Sequence, residues 1–194
     1  GCGYFHVNQK TGVRWNTSKG FLRPVKHRRN LDIETDAMVE RLTLDGKRVT
    51  GLVMRQHGNR RTIRAAREVV LAAGAIGSPQ IMQLSGIGAG AVLQPFGIDV
   101  RHDLKGVGEN LQDHLQVRCA YKVQGVKTMN ERFQSLVQRA GFAAQYVFQR
   151  RGPMTMAPSQ LGAFVKSDPS RETPNLQYHV QPLTLPKFGE PLDP

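Results

Sequence analysis

The pattern of apolar and polar positions is most distinctive between residues 69 and 88. Residues 69–71 form a continuous apolar run, which predicts a strand covered on both faces. The small residues 72–74 follow, and they allow a backbone or a flat ligand to approach closely. Ser78 and Pro79 then predict a helix start, and Gly86 can end that helix in the left-handed conformation. A strand that leads through a side-chain-poor corner into a helix can hold a ligand in an α/β protein.

Shorter alternating stretches predict a meander of strands before this run. The turn pair Asp45-Gly46 between residues 39–44 and 49–55 predicts a hairpin. A further turn is expected at residues 57–59. The other strands predicted in this half are residues 31–35, 62–65 and 68–73, and a short helix is predicted near residues 17–22.

The second half mixes helices and strands. A short helix at residues 91–96 is predicted to stop at Gly97. A long helix with one apolar face is predicted to begin at Asn130 and to end at Gly152-Pro153. The remaining predicted strands are residues 98–100, 115–123, 161–166 and 176–180.

Charge and composition narrow the function classes. The chain of 194 residues has a net charge of +12, and 15 of its 27 Lys and Arg residues lie in the first 67 positions. A nucleic-acid or anionic-membrane surface is one interpretation, but the charges show no aromatic interleaving and no nucleic-acid-binding motif, so solvated faces are preferred. No apolar run could span a membrane, and no signal peptide is visible. Cys2 and Cys119 are expected to be buried, reduced thiols of a cytoplasmic protein, with membrane association left open, and no metal site is expected.

Four sequence blocks resemble the glucose–methanol–choline (GMC) family of flavin-dependent oxidoreductases. The blocks are Gly74-Ala75 with Ser78-Pro79, Ile81-Met82 and residues 85–88; residues 106–114; residues 12–14 with 21–24; and residues 174–179. Together they cover nearly the whole chain, and the first is long enough to be specific. The resemblance is closest to members similar to choline dehydrogenase.

The resemblance implies a mixed α/β fold. Residues 1–29 would cover the cofactor, residues 30–113 would form part of a Rossmann-like FAD-binding domain with a β-meander, and residues 114–194 would form part of a substrate domain with an antiparallel sheet packed by helices. In the family, the pyrophosphate-binding glycines lie near the N-terminus of the full protein, and the catalytic His with its His or Asn partner lies near the C-terminus. Neither block occurs here, so the chain is expected to be an internal fragment that contains no catalytic residue.

The resemblance also implies FAD contacts. Val39 matches a position whose backbone meets adenine, although an ordinary strand valine is the alternative. Ala72, Ala73 and Gly74 match the strand end beside the adenosine, although tight strand–helix packing would need the same small residues. Asn110 matches a loop position near the flavin.

Two histidines are further candidates for a chemical role. Asp113 and His114 could form a base and its orienting carboxylate, but adjacent side chains diverge, so a structural pair is preferred. His179 could face either a substrate cavity or the core.

The function implied by the resemblance is oxidation of a primary alcohol, choline-like or other, by hydride transfer to FAD. The expected partners are a small-molecule alcohol and an electron acceptor, oxygen or a quinone, with no nucleic acid. The alternatives are a non-catalytic flavoprotein remnant and a basic nucleic-acid-binding module. The fragment alone is expected to be inactive, because the base and the main cofactor contacts would be absent.

Overall fold

A computed structural model of the chain describes residues 1–157, 159–186 and 192. The strands are β1 (Cys2–Tyr4), β2 (Gln9–Lys10), β3 (Val13–Arg14), β4 (Ala37–Asp45), β5 (Arg48–Gln56), β6 (Asn59–Arg64), β7 (Ile87–Gly88), β8 (His102–Asp103), β9 (Leu161–Val165) and β10 (Leu176–Val180). The helices are α1 (Gly74–Leu84), α2 (Gly90–Leu93), α3 (Met129–Gln134) and α4 (Leu136–Gln149), with short π or 3₁₀ turns at Ser18–Leu22, Gln94–Phe96 and Pro153–Thr155. Within the described residues, no helix has the length and apolar character needed to cross a membrane.

The chain divides into two compact units. One unit is Asp32–Gln116, and the other combines Gly1–Leu31 with Val117–Pro194. The predicted mixed α/β fold class is confirmed, because both units carry antiparallel strands together with helices.

In the unit Asp32–Gln116, strands β4, β5 and β6 form an antiparallel sheet with β5 in the centre. The predicted hairpin is confirmed, with Asp45 opposite Arg48 across a two-residue loop in which Gly46 has φ +55°. The next turn is also confirmed: Gln56 pairs with Asn59, and both loop residues have positive φ. Two-residue loops of this kind match the natural twist of paired strands.

Helix α1 packs against β4 and closes the core of this unit. The buried apolar side chains are Leu42, Val53, Met54, Ile81 and Leu93. The hydroxyl of Ser85 joins the two elements, since its Oγ accepts a hydrogen bond from the Leu42 backbone N–H (2.7 Å) and donates to the Ile81 carbonyl (2.5 Å). Gly86 ends the helix with φ +82°, as predicted.

In the other unit, β9 pairs antiparallel with both β1 and β10. The predicted strands at residues 161–166 and 176–180 are therefore confirmed. The prediction of one long helix is wrong in its start and its continuity. The structure has two helices, which are separated at Ser135, and their N-caps are Thr128 and Ser135. Asn130 is instead buried, and its amide exchanges hydrogen bonds with Thr184, because a buried amide needs partners for both of its ends.

Four predicted strands are wrong, namely residues 31–35, 68–73, 98–100 and 115–123. In the described part of the chain, none of these stretches pairs with another strand, and a strand depends on a neighbour for its backbone hydrogen bonds. The run predicted to be covered on both faces contains Val70, which is 77% exposed. Strands β7 and β8 form a brief parallel pair, and β8 follows shortly after residues 98–100, where the sequence predicts a strand.

Two local predictions also need correction. Helix α1 begins at Gly74, so Pro79 lies inside it, and the Ser78 hydroxyl reaches back to accept a hydrogen bond from the Ala73 N–H (3.0 Å). The cysteines are free, as expected, but Cys2 and Cys119 are exposed rather than buried.

Candidate cofactor-binding site

Val39 lies on β4 next to an irregularity in the sheet. It is half-buried and pairs with Met54, and the register between β4 and β5 shifts between Val39 and Arg41. The shift leaves Glu40 as an extra residue, as in a β-bulge. The regular ladder is therefore interrupted directly after Val39.

Glu40 is held by two arginines, one on β5 and one on β6. Its carboxylate lies 2.6 Å from an Arg55 guanidinium nitrogen and 2.8 Å from that of Arg60. The hydrogen bond from Arg55, with the positive charges of both arginines, lowers the pKa of Glu40 below its ordinary value of 4.5. This cluster lies on the sheet surface beside Val39 and keeps the carboxylate charged at neutral pH.

Residues 72–74 form the corner before α1 and present few side-chain atoms. Ala72 and Ala73 are exposed, and Gly74 has φ +84° with no atom within 4 Å of the position that a Cβ would occupy. Val70 and Ile76, on either side of the corner, are also exposed. The first turn of the eleven-residue helix α1 adds backbone N–H groups and the positive end of the helix dipole.

These features fit the adenosine part of FAD. An adenine ring needs apolar contacts on its faces and an approach to the backbone, and a ribose needs room beside small side chains. The open space at Gly74 and the exposed alanines provide that room, and Val70 and Ile76 provide apolar surface.

The loop that contains Asn110 is attached to α1. The Gln83 amide donates a hydrogen bond to the Val107 carbonyl (3.2 Å), and the same side chain lies against Gly108. Asn110 follows with φ +58°, in the left-handed region that asparagine tolerates, and it is exposed. The structure thus joins this loop to the helix that follows the candidate adenosine corner.

The two histidine hypotheses have different outcomes. Asp113 Oδ1 accepts a hydrogen bond from the His114 backbone N–H (2.7 Å), so this carboxylate binds the neighbouring backbone. His179 lies on β10, and its ring stacks on Phe5 with centroids 4.9 Å apart. In the ranges that the structure describes, no group of three His, Cys, Asp or Glu residues could hold a metal ion.

Sequence reasoning missed the residues that position the site. Ser85 connects α1 with β4, and Gln83 holds the loop of residues 106–108. Their partners are 43 and 24 residues away in the sequence, so no local pattern indicates the contacts. A serine at the last turn of a helix, directly before a glycine, was the one visible signal.

Comparison with known proteins identifies the family to which this fold belongs. Residues 1–116 match the model of the N-terminal GMC oxidoreductase domain. The chain belongs to the GMC oxidoreductase family.

Among curated relatives, it is 36% identical to an alcohol dehydrogenase [acceptor] of Pseudomonas putida over 191 residues, which are 97% of this chain and 35% of that protein. It is 35% identical to an oxygen-dependent choline dehydrogenase of Photobacterium profundum over 190 residues, which are 98% of this chain and 33% of that protein. The chain thus spans about a third of the length of these relatives.

Solved structures agree with this assignment. An FAD-dependent oxidoreductase from Chaetomium thermophilum superposes with a TM-score of 0.74 at 27% identity, over 82% of this chain and 28% of that one. A fungal aryl-alcohol oxidase superposes with a TM-score of 0.69 at 26% identity, over 85% of this chain and 29% of that one. The family is one of FAD-binding proteins.

Proposed function

We propose that this chain is the central part of an FAD-dependent enzyme that oxidises a primary alcohol. The observation that carries the proposal is the open corner at residues 72–74, within a chain that belongs to a family of FAD-binding oxidoreductases. Relatives named for choline, alcohol and aryl-alcohol substrates support an alcohol as the substrate class. An electron acceptor, oxygen or a quinone, completes the reaction. The proposal includes a cytoplasmic location, which Cys2 and Cys119 support because they form no disulfide with each other.

The residues of this chain bind and orient rather than react. Val39 offers its backbone to the adenine edge, and Ala72, Ala73 and Gly74 leave room for the adenosine. Asn110 lies in the loop attached to α1 and is proposed to approach the flavin. The chemistry that FAD supplies when bound is acceptance of a hydride from the carbon that bears the hydroxyl.

The base that takes the hydroxyl proton is assigned to polypeptide outside this chain. Asp113 bonds to backbone and His179 stacks on Phe5, so neither histidine motif provides a base with an orienting carboxylate. The 194-residue chain alone should therefore not oxidise alcohols. Alcohol-dependent reduction of a dye by the purified chain would overturn that expectation.

The experiment uses the complete protein encoded by the reading frame that contains this chain. Purified complete protein should carry flavin absorbance and should reduce a dye when primary alcohols are added. Ala73→Leu places a bulky side chain in the candidate adenosine corner, and we expect flavin affinity to fall at least about tenfold, equivalent to about 1.4 kcal/mol. Ala91→Leu adds the same atoms at an exposed position of α2 and serves as the matched control.

The outcomes separate the parts of the proposal. A complete protein that lacks flavin and cannot be reconstituted with it would refute the cofactor assignment. A flavin-containing protein that oxidises no alcohol would refute the activity and leave the cofactor assignment standing. Equal flavin affinity in the Ala73→Leu and Ala91→Leu proteins would refute the corner as the site.

A further inference from the structure

The side chain of Gln83 lies in a narrow space between two glycines. An added Cβ at Gly88 would be 3.3 Å from Gln83 Cγ, and an added Cβ at Gly108 would be 2.7 Å from Gln83 Nε2. At the end of this space the Gln83 amide donates a hydrogen bond to the Val107 carbonyl (3.2 Å). The side chain is half-buried, so water competes less for its amide. A glutamine that is packed along its length and bonded at its tip has a defined orientation.

The loop that follows β8 is anchored at two points. At its start, the Leu104 N–H donates a hydrogen bond to the Gly88 carbonyl (3.1 Å). The second anchor is the bond between Gln83 and Val107, and a turn joins the two, since the Val107 N–H donates to the Leu104 carbonyl (3.2 Å). Residues 108–110 follow and are exposed. The last fixed point before Asn110 is therefore the one that Gln83 provides.

The second anchor limits where Asn110 can lie. Asn110 is three residues from Val107 and six residues from Leu104. A chain spans at most about 3.6 Å per residue, so Asn110 stays within about 11 Å of Val107, compared with about 22 Å of Leu104. Halving this radius reduces the accessible volume about eightfold. The Gln83 amide therefore restricts the position of Asn110 more than the covalent connection to β8 does.

Helix α1 carries this anchor at the end opposite the corner at residues 72–74. Gln83 is nine residues after Gly74, a separation of about 14 Å along a helix axis. Packing against β4 and the hydrogen bonds of Ser85 hold the helix in place. FAD is an elongated molecule with adenosine at one end and the isoalloxazine ring at the other. One fixed helix thus relates the candidate adenosine corner to the loop that contains Asn110.

We propose that Gln83 is a positioning residue for the flavin. It holds the loop at Val107, so that Asn110 is placed against the isoalloxazine ring while the adenosine lies in the corner at residues 72–74. Gln83 acts through Asn110 and does not itself contact the cofactor. The inference rests on the proposed binding of FAD, and it does not depend on which alcohol is oxidised.

A pair of substitutions in α1 tests the role of the amide. Gln83→Met removes the hydrogen-bond donor and keeps a side chain of similar length, and Gln80→Met makes the same replacement at an exposed position. The measurement is the flavin reduction potential of the complete protein, titrated against a redox dye without alcohol. A contact from Asn110 stabilises oxidised and reduced flavin unequally. We therefore expect Gln83→Met to change their equilibrium ratio about three- to tenfold, equivalent to about 14–30 mV. Equal potentials in the two variants would overturn the proposal.

Substitution of Asn110 shows whether Gln83 acts through it. Asn110→Ala should shift the potential in the same direction as Gln83→Met. The double variant should shift it no further, because the two substitutions remove the same contact with the flavin. Additive shifts would mean that Gln83 affects the flavin by another route, and this would contradict the proposal.

A pair of glycine substitutions tests the same contact from the side of the loop. Gly108→Ala places a Cβ against the Gln83 amide at a residue with φ +86°. Gly106→Ala is the control, because Gly106 has no positive φ and no atom within 4 Å of the added Cβ. We expect the potential to shift only for Gly108→Ala. If Gln83→Met and Gly108→Ala both give no soluble protein while both controls fold, the contact is structural and the positioning role is refuted.

These outcomes differ from those that test the proposed function. A complete protein that binds no flavin would refute the cofactor assignment and this inference with it. A flavin-containing protein in which Gln83→Met leaves the potential unchanged would refute this inference alone. Because the titration needs no alcohol, it decides the role of Gln83 even if the protein oxidises none.

Discussion

Substitution of Ser85 tests the contact that holds α1 against β4. The serine hydroxyl accepts a hydrogen bond from the Leu42 N–H and donates to the Ile81 carbonyl, and Leu42 is only 4% exposed. Strand β4 is at the edge of its sheet, so no neighbouring strand can replace the hydroxyl at this N–H. Ser85→Ala therefore leaves a buried donor without a partner.

The expected cost follows from that buried donor. An unsatisfied buried N–H costs about 1–3 kcal/mol, and we expect about 2 kcal/mol for Ser85→Ala. The urea dependence is about 1–3 kcal/mol per molar for small proteins and grows with size, so the unfolding midpoint of the complete protein should fall by less than about 1 M. Circular dichroism of the complete protein in increasing urea measures the midpoint.

Ser78→Ala is the matched control. The Ser78 hydroxyl also accepts from a backbone N–H, that of Ala73, but this hydrogen bond is exposed, so water can replace it. We expect a loss below about 1 kcal/mol for the control. Equal midpoints for Ser85→Ala and Ser78→Ala would refute the reasoning, because burial of the Leu42 donor is the only basis for the larger effect.

Two further predictions concern backbone conformation and charge. Gly86→Ala should lower the urea midpoint of unfolding more than Gly46→Ala. Both glycines have positive φ, but only at Gly86 would an added Cβ collide with a backbone oxygen, that of Asp99. Equal midpoints for the two variants would contradict the steric argument. Glu40→Gln should destabilise the protein at neutral pH, where the carboxylate bonds to Arg55 and Arg60. Because folding lowers the pKa of Glu40, its contribution is present above its ordinary value of 4.5 and is lost as the pH falls through the lower folded-state pKa. The midpoints of wild type and Glu40→Gln should therefore converge in acid, and a difference that persists there would contradict the linkage.

Local sequence signals predicted the turns well. The hairpin loop that follows Asp45 and the turn at residues 57–59 were found from residues that tolerate positive φ, and the structure has both. Gly86 and Gly97 were predicted to end helices, and both have left-handed backbones. These features depend on a few adjacent residues, so the sequence contains the information needed to predict them.

Predictions that needed distant partners were less accurate. The apolar run at residues 69–71 and the alternating residues 115–123 have strand patterns, but no strand in the described part of the chain pairs with either. The long helix predicted from Asn130 divides at Ser135, because the Asn130 amide bonds to Thr184 and Thr128 provides the cap instead. A side chain that can cap a helix can equally satisfy a distant backbone group, and the sequence does not distinguish the two.

The sequence by itself determined the family, the turns, the glycines that end two helices and the side-chain-poor corner at residues 72–74. Each depends on residue type and spacing within a short stretch. Only the tertiary structure decided that Ser85 connects α1 to β4, that Gln83 holds the loop before Asn110, and that the corner is open. Those contacts join groups far apart in the chain, and a buried N–H selects its acceptor by distance and burial in the folded protein.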